Sequence, residues 1–108
     1  RPAETSAEVR KRVIAAREIQ LRRFAGLDIH SNAMMNSAML RKFAPLDRQC
    51  SELLERAMNH LNLSARAYDR IIKVARTIAD LEGVENIAPQ HISEAIGYRS
   101  LDRENWGR

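Results

Sequence analysis

Residues 63–83, LSARAYDRIIKVARTIADLEG, decide the fold, because they carry a broad apolar pattern of helical period. Steps of about 100° per residue predict a helix over 64–82 with an apolar arc much wider than a surface helix needs. The arc comprises Tyr68, Ile71, Ile72, Val74, Ala75, Ile78, Ala79 and Leu81. A helix that is apolar over most of its circumference is buried among its neighbours, so we expect this helix at the centre of a bundle.

The remaining arc of this helix is a basic strip formed by Arg66, Arg70, Lys73 and Thr77, all within about 60° of one another. The strip begins at the helix N-terminus, where aligned peptide dipoles favour acidic residues. If Ser64 is the N-cap, Arg66 is the second helical residue and its guanidinium can reach past the helix end, towards the point that the free N–H groups address. A phosphate at that point could bind both the guanidinium of Arg66 and the free N–H groups. The residues alone leave open whether this is a phosphate site or a solvated surface.

A first helix is predicted from Thr5, whose spacing to Glu8 is that of a capping box, to about Phe24. Val9, Val13, Ala16 and Gln20 lie on one side of this helix. Ile14 and Leu21 widen the apolar part of that side. Its cations are Arg10, Lys11, Arg12, Arg17, Arg22 and Arg23. We interpret these cations as a solvated surface, with a nucleic-acid or partner contact as the alternative.

Three further helices are predicted, and period-2 strand patterns are absent. A short helix over 37–43 stops before Pro45. Asp47 caps the next helix, which ends near Asn62, and the short break there predicts an αα-hairpin of antiparallel neighbours with helix 64–82. Pro89 suits the first turn of a last helix that reaches about Arg99. The fold class is therefore all-α, a small bundle of four to five helices.

The 108 residues are enough for one compact domain, which we place at 1–108 with a frayed tail over 100–108, where Trp106 alone is expected to dock. Turn-forming residues over 26–36 suggest a mobile segment, while Met34, Met35 and Met39 are expected in the core. The net charge of +4 comes from interspersed signs, which permit anionic partners without requiring them.

The chain begins with Arg1 rather than Met and shows no signal peptide, so we interpret it as a fragment of a larger protein. No apolar run approaches the ~20 residues of a membrane span, and a cytoplasmic location without membrane contact is expected. The single cysteine, Cys50, lies in an apolar helical stripe and is expected to be an inert buried thiol.

Several chemistries find no support in the residue spacings. His30, His60, His91 and Cys50 lie in separate elements without metal-ligand spacing, so no metal site is expected. A phosphate-binding loop and a nucleophile elbow are both absent from the sequence, and the chain alone is expected to carry no catalytic residue. Both tyrosines, Tyr68 and Tyr98, stand on apolar arcs and are expected in the core rather than stacked on bases.

Two long motifs, LSARAYDRIIKVARTIADLEG and IAPQHISEAIGYRSLDR, resemble the C-terminal domain of the magnesium-chelatase-like AAA+ ATPases of the ComM and YifB group. The stretches SAEVRKRVIAAREIQLRRF and LRKFAPLD match the same domain, so the resemblance covers nearly the whole chain. It implies a helical lid that follows a nucleotide-binding core. It also implies that Arg66 is the sensor 2 arginine that contacts the γ-phosphate of ATP, with Mg²⁺ held by the missing core domain.

The resemblance further implies a parent ATPase that forms a homo-oligomeric ring, hexameric by analogy, and remodels DNA as a branch-migration helicase. The AAA+ core domain of the same chain is then the first partner of the lid. Arg70 and Lys73 are second-rank candidates, for nucleotide binding or for the lid–core or subunit interface. The alternative is a free-standing basic helical domain that binds nucleic acid or other subunits.

Overall fold

The computed structural model describes residues 4–101, with side chains up to residue 98, and contains only helical elements in that part of the chain. The helices are α1 (Ser6–Arg23), α2 (Ser37–Phe43), α3 (Arg48–Leu61), α4 (Ala65–Glu82) and α5 (Pro89–Leu101), with one short 3₁₀ turn, η1 (Asn32–Met34). The predicted all-α bundle is confirmed.

Three predicted N-caps are present, which explains why these helices begin where they do. Thr5 and Glu8 form a complete capping box at α1. Asp47 accepts the backbone N–H of Cys50 at 2.8 Å, and this hydrogen bond holds the pKa of the Asp47 carboxyl below its usual value. Ser64 accepts the backbone N–H of Ala67 at 3.2 Å, so Ser64 is the N-cap of α4 as predicted.

Helix α4 lies at the centre of the bundle, with its apolar side packed on the other helices. It contacts α5, α1, α2 and η1. The buried part of its apolar arc comprises Ile71, Ile72, Ala75, Ile78 and Ala79, while Tyr68, Val74 and Leu81 are half-buried. The central position predicted from the width of the arc is confirmed.

The predicted αα-hairpin needs correction. Asn62 ends α3 in the left-handed conformation, with φ 54°, and only residues 62–64 separate α3 from α4. The close backbone neighbour of α3 is nevertheless α5 rather than α4. A short link makes two helices consecutive in the chain without making them pack side by side, because the direction set by the cap decides where the second helix runs.

The segment over 26–36 is anchored rather than loosely attached. Asn32 and Met35 are buried, and η1 packs against α4. Met39 packs against the core, so the expectation for Met35 and Met39 is confirmed, whereas Met34 is exposed. On either side of the segment, the ring of Phe24 at the end of α1 and that of Phe43 at the end of α2 meet edge to face with centroids 5.2 Å apart.

The apolar side predicted for α1 is largely uncovered. Ala16 is the one residue of α1 that is buried, and Val9, Val13, Ile14 and Leu21 are exposed by 41–54%. The contact of α1 with α4 therefore uses only a narrow part of the helix surface.

Helix α5 reaches Leu101, two residues beyond the predicted end at Arg99. The rest of the predicted tail, including Trp106, lies outside the described residues. No helix within residues 4–101 combines the length and apolar character that a membrane span requires.

Cys50 has no exposed surface, and its Sγ lies 3.4 Å from the carbonyl oxygen of Ile87, to which the thiol donates. Burial raises the pKa of this thiol to about 11, since the thiolate would be poorly solvated there.

We therefore expect native Cys50 to react with an aromatic disulfide reagent at pH 8 at least about 100-fold more slowly than the unfolded chain, because the thiolate is the nucleophile. Release of the coloured thiol, followed with and without guanidinium chloride, measures both rates. Equal rates in the two conditions would contradict the burial of this side chain.

Candidate functional site on helix α4

Arg66 projects from the first turn of α4 and is exposed to solvent. Since Ser64 is the N-cap, Arg66 is the second helical residue, as the sequence predicts. Within residues 4–98, no carboxylate forms an ion pair with its guanidinium. The donors of Arg66 therefore remain available next to the free N–H groups of the helix end.

A groove of about 640 Å³ runs along the exposed side of α4 from Arg66 to Leu81, and we call it the α4 groove. One edge comes from α5 through Tyr98 and another from η1 through Ala33. The remaining lining residues are Asp69, Arg70, Lys73, Val74, Thr77 and Ile78. The structure thus brings the predicted strip of Arg66, Arg70, Lys73 and Thr77 together on one concave surface.

The prediction that Tyr98 lies in the core is wrong. Tyr98 is 53% exposed, and its ring lines the α4 groove. The apolar side of α5 is satisfied by Ile92 and Ala95, which are buried closer to the start of the helix. Tyr68 is half-buried and packs against the core, which agrees with its prediction.

The charge of the α4 groove is predominantly positive. Asp69 is the one carboxylate among its described lining residues, and its Oδ2 accepts a hydrogen bond from the Ser37 hydroxyl at 2.7 Å. Thr77 contributes no free donor, because its hydroxyl donates to the Lys73 carbonyl at 3.0 Å. The cations therefore dominate recognition in this groove, and an anionic ligand is favoured.

Beneath this surface lies a buried ionic cluster that the sequence analysis missed. The guanidinium of Arg23 forms a two-pronged pair with Asp80, with both Nη–Oδ distances 2.7 Å. Arg76 approaches the same carboxylate from within α4, with its Nη2 3.2 Å from Asp80 Oδ1. Asp80 is 1% exposed, so two arginines share one buried carboxylate.

Arg76 also secures the end of α4. Its Nη1 donates to the carbonyl of Glu85 at 2.8 Å and its Nη2 to that of Val84 at 3.1 Å. Burial lowers the pKa of this guanidinium, an effect that the charge of Asp80 opposes and that of Arg23 reinforces. These bonds satisfy carbonyl groups that follow the helix and would otherwise need water.

Asn32 connects the ionic cluster to the groove wall. Its Nδ2 donates to Asp80 Oδ2 at 2.8 Å and to the hydroxyl of Thr77 at 3.1 Å, and its Oδ1 accepts from Arg23 at 2.9 Å. Its backbone N–H donates to Gln20 Oε1 at 2.9 Å. One buried side chain thereby joins α1, α4 and η1, and fixes the adjoining Ala33 at the edge of the groove.

Arg23 was predicted to be solvated with the other cations of α1, and this prediction is wrong. Its opposite charge lies 57 positions away in the chain, beyond any helical spacing. A partial signal existed in α4, where Arg76 and Asp80 stand four residues apart on one side of the helix, the spacing of an intrahelical ion pair.

Possible metal ligands are dispersed over the bundle, and residues 4–98 bring no three histidine, cysteine or carboxylate side chains together in a way that could hold a metal ion. Buried His91 accepts the backbone N–H of Ala88 at its Nδ1 and lies 2.9 Å from Glu82 through its Nε2. With Nδ1 as acceptor, Nε2 carries the proton and donates to the carboxylate. This histidine thus links the start of α5 to the end of α4.

The sequence of this chain matches a known domain family. Residues 3–99 fit the family described as "Magnesium chelatase, subunit ChlI C-terminal", so the chain belongs to that family.

Two curated relatives are similar to this chain over most of its length. The chain is 46% identical over 100 residues to the competence protein ComM of Haemophilus influenzae, a match that covers 93% of this chain and 19% of ComM. It is 45% identical over 102 residues to the uncharacterized protein YifB of Escherichia coli, covering 94% of this chain and 19% of YifB. The predicted likeness to the ComM and YifB group is confirmed, and the chain spans about one fifth of the length of these relatives.

Proposed function

We propose that this chain is the helical lid of a ring-forming AAA+ ATPase and that Arg66 contacts the γ-phosphate of bound ATP as the sensor 2 arginine. The observation that carries the proposal is the exposed guanidinium of Arg66, which is unpaired within the described residues and stands beside the free N–H groups of α4. Membership of the magnesium chelatase family supports the same assignment.

The chemistry of phosphoryl transfer explains why an arginine suits this position. Charge spreads over the oxygens of the transferred phosphoryl group, and fixed cations stabilise it without reorganisation. A planar guanidinium can bind two of these oxygens at once. A cation at a helix N-terminus costs only about 0.3–1 kcal/mol against the dipole, which one phosphate contact outweighs.

Arg70 and Lys73 extend the positive surface from Arg66 along the α4 groove. In the proposed lid they face the core domain or the neighbouring subunit, while the core domain holds ATP and Mg²⁺. Closure of the lid over the nucleotide would then report the nucleotide state to the ring. For the whole protein we propose a DNA-remodelling, branch-migration ATPase.

The alternative, a free-standing nucleic-acid binder, has weaker support from the cations of α1. Arg23 is committed to Asp80 and Arg12 pairs with Glu4, so these two cations do not form a free basic strip. The α4 groove has apolar side chains, Val74, Ile78 and Leu81, beside its cations, so only part of its surface suits a phosphate backbone.

The test is the substitution Arg66→Ala in the full-length protein. We expect ATP turnover at saturating ATP to fall at least about tenfold, because a transition-state contact is lost. Phosphate release measures turnover, and thermal unfolding should change little because Arg66 is exposed.

Arg56→Ala is the matched control, since Arg56 is an exposed arginine on α3, away from the α4 groove. It should leave turnover unchanged. Wild-type turnover in Arg66→Ala would remove Arg66 from the nucleotide site.

A further inference from the structure

We propose that a second groove, between α1 and α4, binds an amphipathic helix of a partner protein that carries acidic residues beside an apolar stripe. This α1 groove has a volume of about 520 Å³ and is lined chiefly by Val13, Arg17, Leu21, His30, Thr77 and Leu81. Arg66 is not among its lining residues, so the inference does not depend on the nucleotide role proposed above.

The apolar surface at this groove is larger than the fold needs. Val13 is exposed by 41%, Ile14 by 51% and Leu21 by 54%. On a helix these three positions fall within about 100° of one another and form an apolar stripe, which Arg17 interrupts between Val13 and Leu21. Val13 and Leu21 line the groove, and Ile14 lies beside it. Single exposed apolar residues are ordinary, but several on one side of a helix, beside a groove, indicate an interaction surface.

Charge identifies the kind of partner. None of the described residues lining the α1 groove is acidic, and Arg17, which stands between Val13 and Leu21 on α1, forms no ion pair with any residue within 4–98. The α1 groove shares Thr77 and Leu81 with the α4 groove, whose lining includes the cation Lys73. A partner with carboxylates on both sides of its apolar residues would complement this surface.

The apolar side chains of the α1 groove favour a protein partner over a nucleic acid. Val13, Leu21 and Leu81 offer aliphatic surface, on which a sugar–phosphate backbone gains nothing, whereas leucine side chains of a helix would be removed from water. A second copy of this chain is not the proposed occupant, because the exposed stripe that its α1 would present carries Arg17 rather than the carboxylates that complement this groove.

The dimensions suit a short helical segment. Val13 and Leu21 are eight positions apart on α1, which corresponds to about 12 Å. That length accommodates roughly two turns of a bound helix, whose contact residues would recur at i, i+4 and i+7.

The experiment uses a designed helical peptide of about 18 residues, long enough to form a helix. It carries leucines at i, i+4 and i+7 flanked by glutamates, and its twin has lysine at every glutamate position. Each labelled peptide is titrated with the 108-residue chain and followed by fluorescence anisotropy. We expect the glutamate peptide to bind at least tenfold more tightly than the lysine peptide, and less tightly as salt is raised.

Variants of the chain locate the binding. Val13→Ser and Leu21→Ser should each weaken binding of the glutamate peptide at least tenfold. Val84→Ser is the matched control, because Val84 is 42% exposed and lies outside both grooves, and it should change nothing. Arg66→Ala should also leave peptide binding unchanged, so failure of this inference is distinguishable from failure of the ATPase proposal.

Three results would overturn the inference: no saturable binding, equal binding of the two peptides, or equal weakening by Val84→Ser and Leu21→Ser. A chain that sediments as a dimer and becomes monomeric with Leu21→Ser would instead assign the groove to a second copy. Far-UV circular dichroism confirms that each variant is folded, which is expected because the substituted side chains are exposed.

Discussion

Asp80→Ala is expected to lower the free energy of unfolding by about 3–5 kcal/mol, because it leaves two arginines in a buried site without their counter-charge. The side chains of Arg23 and Arg76 are only 13% and 4% exposed, so water cannot replace the carboxylate without local opening. Asn32 also loses an acceptor for its Nδ2. Urea unfolding followed by circular dichroism gives the change directly.

The control for this substitution is Asp28→Ala, which removes an exposed carboxylate and should change the unfolding free energy by no more than about 0.5 kcal/mol. Asp80→Asn separates the charge from the hydrogen bonds, since the amide keeps an oxygen acceptor but not the negative charge. A value for Asp80→Ala as small as that for Asp28→Ala would mean that the cluster is solvated in solution.

Leu54→Ala is expected to destabilise the fold by about 2–5 kcal/mol, because it removes a core side chain that its neighbours cannot fully replace. Leu54 has no exposed surface and belongs to the same buried cluster as Ile71 and Ile92, so the loss is felt where α3, α4 and α5 meet. The same urea titration measures this loss of stability. The slope of the unfolding free energy against urea concentration is expected to be unchanged.

Leu21→Ala provides the comparison within the same chain. It is also a leucine-to-alanine change inside a helix, but Leu21 is 54% exposed, so a change below about 1 kcal/mol is expected. Equal losses at Leu54 and Leu21 would show that the exposed stripe of α1 is covered in solution, and the docking inference would then lack its free surface.

Local signals in the sequence were sufficient for most of the fold. Capping side chains at Thr5, Asp47 and Ser64 act within three residues of their targets, so their positions in the sequence determine the helix starts. The apolar arc of α4 is also local, because helical geometry alone places its residues on one side. The exposed strip that begins at Arg66 is what remains of the same helix, which is why it could be predicted as well.

Features that depend on two distant segments could not be predicted in this way. The pair of Arg23 and Asp80 and the burial of Asn32 require α1, η1 and α4 to be in place already. The same holds for Tyr98, which stands on an apolar pattern but lies at a part of α5 that no neighbouring element covers within the described residues. Patterning predicts which side of a helix is apolar but not how far the bundle extends over it.

The ionic cluster has a consequence for how this family can evolve. Arg23, Asn32 and Asp80 complete one another, so losing any one leaves a buried charge or polar group without its partner. Drift through single substitutions at these sites would pass through poorly folded intermediates. Homologous chains should therefore keep all three residues or replace them together, and this covariation would join positions that are far apart along the polypeptide.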